Sequence, residues 1–292
     1  MTDPLSITAS IPTDPKPRDD ELDLFGVTHP GKVRAKNQDH FMICTVHRQL
    51  VVHGSSLPDS DALPLRGERL AAVAVVADGV GGAAAGEDAS QIAVATIARY
   101  LTSTMACLDG ASPAHEDHFL DALQGAALEA HAAVLALAAQ RPKNKGMATT
   151  LTLAIGAWPR AYVVQVGDSR CYYYRAGTLH QVTRDQTVAQ TLVDAGALRQ
   201  SEAYRSPFSN VLASAIGGST AEPAVSRLQM RRDAVFLVCS DGLTKHVDDA
   251  HIAGILGTLR SSEQACTDLL QLALDGGGSD NITIVVGRVR PA

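Results

Sequence analysis

Five aspartates stand at the ends of short apolar runs, and this placement constrains the fold more than any other feature of the sequence. One follows the run LAAVAVVA at 70–77, another directly precedes NITIVV, and the other three border similar runs. Short continuous apolar runs predict buried strands. A carboxylate beside one strand is often only a turn residue, but five of them favour a fold in which several strand ends meet. The set is Asp39, Asp78, Asp168, Asp241 and Asp280.

Such a meeting of carboxylates requires a cation, because like charges a few ångströms apart disfavour joint ionisation. Oxygen donors without a cluster of histidine or cysteine favour Mg²⁺ or Mn²⁺ over Zn²⁺. The ten histidines are scattered, and we interpret His29 and His40, which are near Asp39, as surface or core residues. The pattern therefore predicts a site for Mn²⁺ or Mg²⁺ that is built from aspartates.

The composition of the chain excludes several classes of protein. Its 292 residues are 46% apolar, and no apolar run approaches the roughly 20 uninterrupted residues that a membrane span needs, so we expect no membrane partner. The net charge of -6 leaves no basic excess for a phosphate backbone, so we expect no nucleic-acid partner. The five scattered cysteines form no CxxC pair and indicate reduced thiols in the cytoplasm.

The beginning of the chain differs in composition from the rest. Residues 1–20 are rich in proline and in acidic or hydroxyl residues, and they lack the basic and apolar blocks of a signal peptide. These features predict a flexible tail. We expect one domain over 21–292. Within it, residues 186–217 mix a short helical stretch with turn residues, and we interpret them as an excursion from the core.

The remaining segments predict an α+β fold, because strands cluster apart from long helices instead of alternating with them. A turn with Pro30 and Gly31 joins the apolar runs at 24–29 and 40–45 in the manner of a hairpin. Three later runs have the spacing of an antiparallel meander. The predicted helices are 87–105, 119–140 and two more within 249–274. The predicted strands beyond the hairpin are 70–77, 149–155, 162–166, 171–175, 235–239 and 282–289.

Five segments that contain the aspartates carry a family resemblance. The segments are RAKNQD at 34–39, VADGVGG at 76–82, GDSR at 167–170, SDGLT at 240–244 and SDNIT at 279–283. A single Asp-Gly pair occurs by chance in many proteins, but five motifs in this order are specific. Together they resemble the signature of the protein phosphatase 2C family of metal-dependent Ser/Thr phosphatases.

The resemblance implies an α-β-β-α sandwich of two antiparallel sheets flanked by helices, with two Mn²⁺ or Mg²⁺ ions in a cleft at one end. In the family pattern Asp78 bridges both ions. Asp39 and the backbone carbonyl of Gly79 complete the ligands of one ion, and Asp241 and Asp280 bind the other.

The resemblance also implies the remaining parts of the site and its substrates. Asp168 matches the ligand of a weaker third ion, Arg34 matches the arginine that binds the substrate phosphate, and 186–217 resembles a flap beside the cleft. A metal-activated water would hydrolyse phosphothreonine and phosphoserine in proteins that a Ser/Thr kinase has phosphorylated. We expect a monomer.

Three residues depart from the family pattern. Gln38 stands where an acidic residue is common, so we expect one ion to bind less tightly. Val80 stands where eukaryotic relatives have a histidine proposed as general acid, so the leaving group must take its proton from water or another donor. Gln186 replaces a more usual histidine at the base of the flap.

Two other interpretations compete with a phosphatase. A catalytically weak, phosphatase-like binding or regulatory module is the first, and the presence of all five carboxylates favours the enzyme over it. The second starts from residues 79–84, which fit the GxGxxA pattern of dinucleotide-binding folds. The carboxylate of Asp78 disfavours that interpretation, because it would repel a pyrophosphate.

Overall fold

The computed structural model describes residues 15–49, 66–81, 85–103, 116–140 and 146–290. Two antiparallel sheets pack face to face in this part of the chain. The first contains β1 (Leu22–His29), β7 (Arg170–Arg175), β8 (Thr178–Gln181), β10 (Val235–Cys239) and β11 (Ile282–Val289). Its spatial order is β1-β11-β10-β7-β8.

The second sheet contains β2 (Asp39–Gln49), β3 (Arg66–Val80), β4 (Ala148–Thr149), β5 (Leu151–Ala157), β6 (Arg160–Val166) and β9 (Ala224–Gln229). Its order is β2-β3-β5-β6-β9, with β4 paired to β3.

Helices cover the outer face of each sheet. The second sheet is covered by α1 (Ala85–Ser103) and α2 (Glu116–Gln140), and the first by α5 (Asp241–Thr244), α6 (Asp249–Thr258) and α7 (Ser262–Asp275). The excursion at 186–217 contains α3 (Val188–Asp194) and α4 (Gln200–Ala203). This α-β-β-α arrangement confirms the predicted fold class.

The β3 strand shows why its sequence is continuously apolar rather than alternating. Val73 and Val75 pack against α1 and α2 in one core, whereas Ala74 and Val76 face the first sheet in the core between the sheets. Successive side chains of a strand point to opposite faces. A strand that is covered on both faces must therefore be apolar at every position.

Two predicted pairings are wrong. The runs at 24–29 and 40–45 do not form a hairpin, because β1 pairs with β11 in the first sheet while β2 pairs with β3 in the second. The turn between them is tied to the loop before β11 by a hydrogen bond from Lys32 N to Gly278 O of 2.7 Å. Similarly, β5 pairs with β6, but the chain then crosses to the other sheet, where β7 pairs with β10.

Two strands were not predicted from the sequence. Both β8 and β9 are edge strands, and their residues TLHQ and AVSRLQ are mostly partly or fully exposed. Without a buried face, such a strand has no apolar run to reveal it. The other strand predictions and the helix predictions are confirmed within a few residues where the structure describes them.

The tail predicted over 1–20 falls mostly outside the described residues. Its last part lies against β3, because the Arg69 guanidinium donates to Pro17 O at 2.6 Å and to the Asp19 carboxylate at 2.5 Å. Three cysteines, Cys171, Cys239 and Cys266, are buried free thiols, Cys44 is a partly exposed free thiol, and Cys107 lies outside the described residues.

By length and composition alone, α2 could cross a membrane. In this fold it instead packs one face into the core of the second sheet, through Phe119, Leu123, Ala127, Ala130 and Val134. These positions recur every three or four residues, which is the spacing of one helical face. The apolar residues on this face of α2 therefore pack within the domain.

Candidate metal centre

The five aspartates converge at one end of the sandwich. Asp39 begins β2 and stands opposite Asp78 near the end of β3. Asp241 follows the end of β10, and Asp280 precedes the start of the antiparallel neighbour β11, so both lie at the same edge of the first sheet. Asp168 follows the end of β6. The predicted convergence rests on strand ends of both sheets.

Asp39 is fixed by hydroxyls of the opposite sheet. Ser240 Oγ and Thr283 Oγ1 each donate to Asp39 Oδ2 at 2.8 Å, and only 3% of the residue is exposed. Its other oxygen, Oδ1, is buried without a hydrogen-bond partner. Burial raises the pKa of Asp39 to about 6, against the opposing effect of the two hydroxyls. The carboxyl is therefore held in place but incompletely satisfied.

Asp78 lies at the centre of the cluster. Its backbone is held by Thr150, whose Oγ1 accepts from Asp78 N at 3.0 Å and whose N donates to Asp78 O at 2.9 Å. Asp78 as a whole is partly exposed, but its carboxyl is enclosed by the protein. Burial raises its pKa well above the usual value, and the charges of the other four aspartates raise it further. The four other carboxyls thus all act on the position of Asp78.

Asp168 stands in a turn that glycine makes possible. Gly167 has a φ of +103°, and a Cβ there would lie 2.7 Å from Thr150 Cγ2. Gln186 holds the turn, because its Oε1 accepts from Gly167 N at 2.8 Å. Burial, followed by the charges of Asp241 and Asp185, raises the pKa of Asp168 to about 8.

The remaining two aspartates are paired with cations. Lys245 Nζ lies 2.6 Å from Asp241 Oδ2 and 2.8 Å from Asp280 Oδ2. Arg34 Nε lies 2.8 Å from Asp280 Oδ1, and Arg34 Nη2 donates to Asp280 Oδ2 at 3.0 Å. Burial alone would raise the pKa of Asp280, but hydrogen bonds from Lys245 and Arg34 outweigh it and hold that pKa below the usual value.

Sequence reasoning missed Lys245. The sequence does contain a pattern that could have indicated this ion pair. Lys245 stands four positions after Asp241, the spacing at which opposite charges meet on a helix. The two histidines near Asp39 have structural partners, as expected: His29 Nδ1 accepts from Gly31 N, and His40 Nδ1 bonds Ser90 Oγ.

The segment around Gly79 is packed without space for a side chain. A Cβ on Gly79 would lie 2.3 Å from Gly86 O at the start of α1. The Gln38 amide fills the neighbouring space, where its Nε2 is buried without a hydrogen-bond partner. An uncharged amide therefore occupies the position at which the family pattern has an acid.

The donor set fits a hard cation. Asp39 Oδ1 and Asp241 Oδ1 are both buried without a hydrogen-bond partner, and a buried carboxylate oxygen is costly to leave unsatisfied. No three His, Cys, Asp or Glu side chains within the described ranges already surround one ion position. Two of the five carboxylates are instead bound to Lys245 and Arg34. The ligand roles assigned from the family pattern remain predictions.

The fold and the site together define an α-β-β-α domain whose cleft end gathers five carboxylates. The sequence profile described as protein phosphatase 2C matches residues 53–275 of this chain. The chain belongs to the protein phosphatase 2C family, and the resemblance stated from the motifs is confirmed.

Relatives support the same assignment. Over 223 residues the chain is 39% identical to the serine/threonine protein phosphatase PstP of Mycobacterium tuberculosis, and the match covers 76% of this chain but 41% of that protein. The chain thus spans less than half of that relative. Over 215 residues it is 30% identical to the serine/threonine phosphatase stp of Listeria welshimeri, with 73% of this chain and 83% of that protein covered.

A solved structure confirms the fold. The crystal structure of the catalytic domain of PstP in complex with two manganese ions has a TM-score of 0.70 and 32% identity to this chain. The structural match covers 92% of this chain and 99% of the PstP chain.

Proposed function

We propose that this protein is a metal-dependent phosphoprotein phosphatase that hydrolyses phosphothreonine and phosphoserine at a centre of two Mn²⁺ or Mg²⁺ ions. The observation that carries the proposal is the pair of buried, unpartnered oxygens, Asp39 Oδ1 and Asp241 Oδ1, within one cluster of five aspartates. The names of the relatives and the manganese complex of PstP support it.

The residues that would hold the ions are those of the family pattern. Asp78 would contact both ions, Asp39 and the Gly79 carbonyl would complete one set, and Asp241 and Asp280 the other. Asp168 would hold a weaker third ion. When bound, the ions lower the pKa of a water to yield hydroxide and neutralise charge on the phosphoryl group.

The protein's own side chains position the substrate and the ligands. Arg34 is 53% exposed at the rim of the cluster, so its guanidinium can reach a substrate and offer a bidentate fork to phosphate oxygens. Ser240 and Thr283 keep the Asp39 carboxyl oriented. Val80, which is 43% exposed near the end of β3, offers no proton, so the leaving oxygen takes its proton from water or another donor.

The test of this function is release of phosphate from a phosphothreonine peptide. We expect turnover with Mn²⁺ or Mg²⁺, no turnover after exhaustive chelation, and recovery when the ion is restored. Activity that survives chelation would contradict the metal dependence. Phosphopeptide binding without turnover at saturating Mn²⁺ would favour the catalytically weak binding or regulatory module.

We further propose that the protein acts as a cytoplasmic monomer on proteins phosphorylated by a Ser/Thr kinase. The scattered reduced cysteines support the compartment. Fractionation of cells and size-exclusion chromatography with light scattering test the location and the oligomeric state. A membrane-bound pool or a stable dimer would contradict this part of the proposal.

A further inference from the structure

Lys245 binds both of the carboxylates that the family pattern assigns to one ion. Its Nζ lies within hydrogen-bond distance of Asp241 Oδ2 and Asp280 Oδ2, at 2.6 and 2.8 Å. Its side chain is 26% exposed, so these two ion pairs are partly shielded from solvent. Lys245 follows α5 directly, and its backbone N donates to Asp241 O at 2.8 Å.

The oxygens of Asp280 are already in use. Oδ1 accepts from Asn281 N at 3.0 Å and lies 2.8 Å from Arg34 Nε, and Oδ2 accepts from Arg34 Nη2 and Lys245 Nζ. On Asp241, Oδ2 accepts from Lys245 while Oδ1 is buried and without a partner. An ion that binds both aspartates must share these oxygens with the ammonium or displace it.

We propose that Lys245 competes with the divalent ion for Asp241 and Asp280, and thereby makes this the weaker of the two ion sites. The inference rests on the proposed function, because it assumes that the cluster binds ions. Lys245 supplies one positive charge and two charge-assisted hydrogen bonds to the site before an ion arrives. An ion that binds both carboxylates competes with those bonds, whereas no lysine or arginine in the described ranges forms an ion pair with Asp39.

The same lysine stabilises the protein when no ion is bound. Without Lys245, Asp241 and Asp280 would face each other and the other three aspartates, and Arg34 would be the one paired counter-charge among the described residues. Removal of the ammonium should therefore have two effects of opposite sign. It should weaken the folded state in chelator and strengthen the binding of an ion.

The experiment compares three variants with the wild type. Lys245→Met removes the ammonium and keeps much of the side-chain volume, and Lys245→Gln keeps a hydrogen-bond donor without the charge. Lys16→Met is the matched control, because Lys16 pairs with Glu68 at 3.6 Å and is 29% exposed, close to the exposure of Lys245. Circular dichroism checks that each variant is folded. Mn²⁺ binding is measured by calorimetry, and thermal unfolding is followed in chelator and in Mn²⁺.

We expect both Lys245 variants to bind the weaker ion about 10- to 100-fold more tightly than the wild type, which is the range that neighbours of metal ligands usually control. Their unfolding temperature should fall in chelator and rise further on Mn²⁺ addition than that of the wild type. Lys16→Met should match the wild type in affinity. Unchanged or weaker Mn²⁺ binding in the Lys245 variants would overturn the inference, while the proposed function would stand.

A second measurement needs no substitution. In ¹⁵N-lysine-labelled wild type, a hydrogen-bonded side-chain ammonium exchanges its protons slowly enough for detection, and we expect one such signal in chelator that disappears on addition of Mg²⁺. A signal that persists at saturating Mg²⁺ would overturn displacement of Lys245. Failure of the wild type to bind Mn²⁺ or Mg²⁺ at all would overturn the proposed function as well.

Discussion

The acidic cluster has two parts that the protein treats differently. Asp39, Asp78 and Asp168, the deep trio, form no ion pair with a lysine or arginine in the described ranges, and burial raises the pKa of each. Asp241 and Asp280, the paired duo, face the cations of Lys245 and Arg34, which lower the pKa of Asp280. An aspartate of the deep trio is thus protonated more readily than usual, whereas Asp280 is protonated less readily.

The difference follows from where each part is built. Asp39 stands between the sheets, where the short side chains of Ser240 and Thr283 reach it, and Asp78 lies opposite it on the neighbouring strand. The paired duo stands at the rim, where one long side chain from directly after α5 and another from the segment before β2 can reach it. The need for an external cation is therefore greatest at the deep trio, and Asp78 is its centre.

The largest effect should come from Asp78→Asn. The substitution removes the carboxylate at the centre of the cluster. It should therefore abolish tight Mn²⁺ binding and lower turnover by more than about 100-fold. The change keeps the side-chain shape, so the fold should survive. Asp233→Asn is the control, because Asp233 pairs with Arg175 at the other end of β7. Near-wild-type turnover at saturating Mn²⁺ would show that the deep trio is not the metal centre.

The two parts should also have opposite effects on stability as pH changes in the presence of chelator. The folded-state pKa values of about 6 for Asp39 and about 8 for Asp168 exceed the ordinary value. The folded protein therefore binds these protons more tightly than the unfolded chain. Their stabilisation is complete below about pH 4 and is lost as pH rises through about 6 and then about 8.

The lowered pKa of Asp280 acts in the other direction. Its stabilisation is present above about pH 4 and is lost as pH falls below that value. Urea unfolding in chelator should thus show a drop on the order of a few kcal/mol between about pH 5 and about pH 8. Saturating Mn²⁺ should remove most of that drop. A free energy of unfolding that is flat over this range would contradict the contrast between the trio and the duo.

Arg34→Ala should have a smaller effect, confined to the rim. It removes the fork that would bind substrate phosphate, so KM should rise about tenfold, and kcat should fall less if the arginine binds ground state and transition state alike. Steady-state kinetics with a phosphothreonine peptide measure both constants. Arg175→Ala, which also loses an exposed ion pair, serves as the control. An unchanged KM would remove Arg34 from the phosphate site.

The smallest effect is expected for Asp168→Ala. Because Asp168 would hold a weaker third ion, calorimetry should still detect the two tighter ions while the Mn²⁺ dependence of the rate shifts several-fold. If Asp168 only fills a turn, the change should instead cost about 1 kcal/mol of stability and leave that dependence alone. Titration of activity against Mn²⁺ for both proteins distinguishes these cases, since superimposable normalised curves would reject the third ion.

Much of this contrast could be predicted from the sequence, and some of it could not. The strands at 235–239 and 282–289 are covered on both faces, so their sequences are continuously apolar. These apolar runs allowed the strands to be predicted, together with the aspartates at their ends. The hairpin at 24–29 and 40–45 was wrong because local turn residues do not report which sheet a strand joins. Lys245 was missed because only the packed fold shows that one ammonium reaches both Asp241 and Asp280.

The most direct measurement of the central claim is a crystal structure grown with Mn²⁺, with anomalous scattering recorded at the manganese edge. We expect two strong anomalous peaks inside the cluster, both beside the carboxyl of Asp78. One would also contact Asp39 and the other Asp241 and Asp280, with Lys245 displaced from the two. The absence of a manganese peak beside Asp78 at saturating Mn²⁺ would contradict the account.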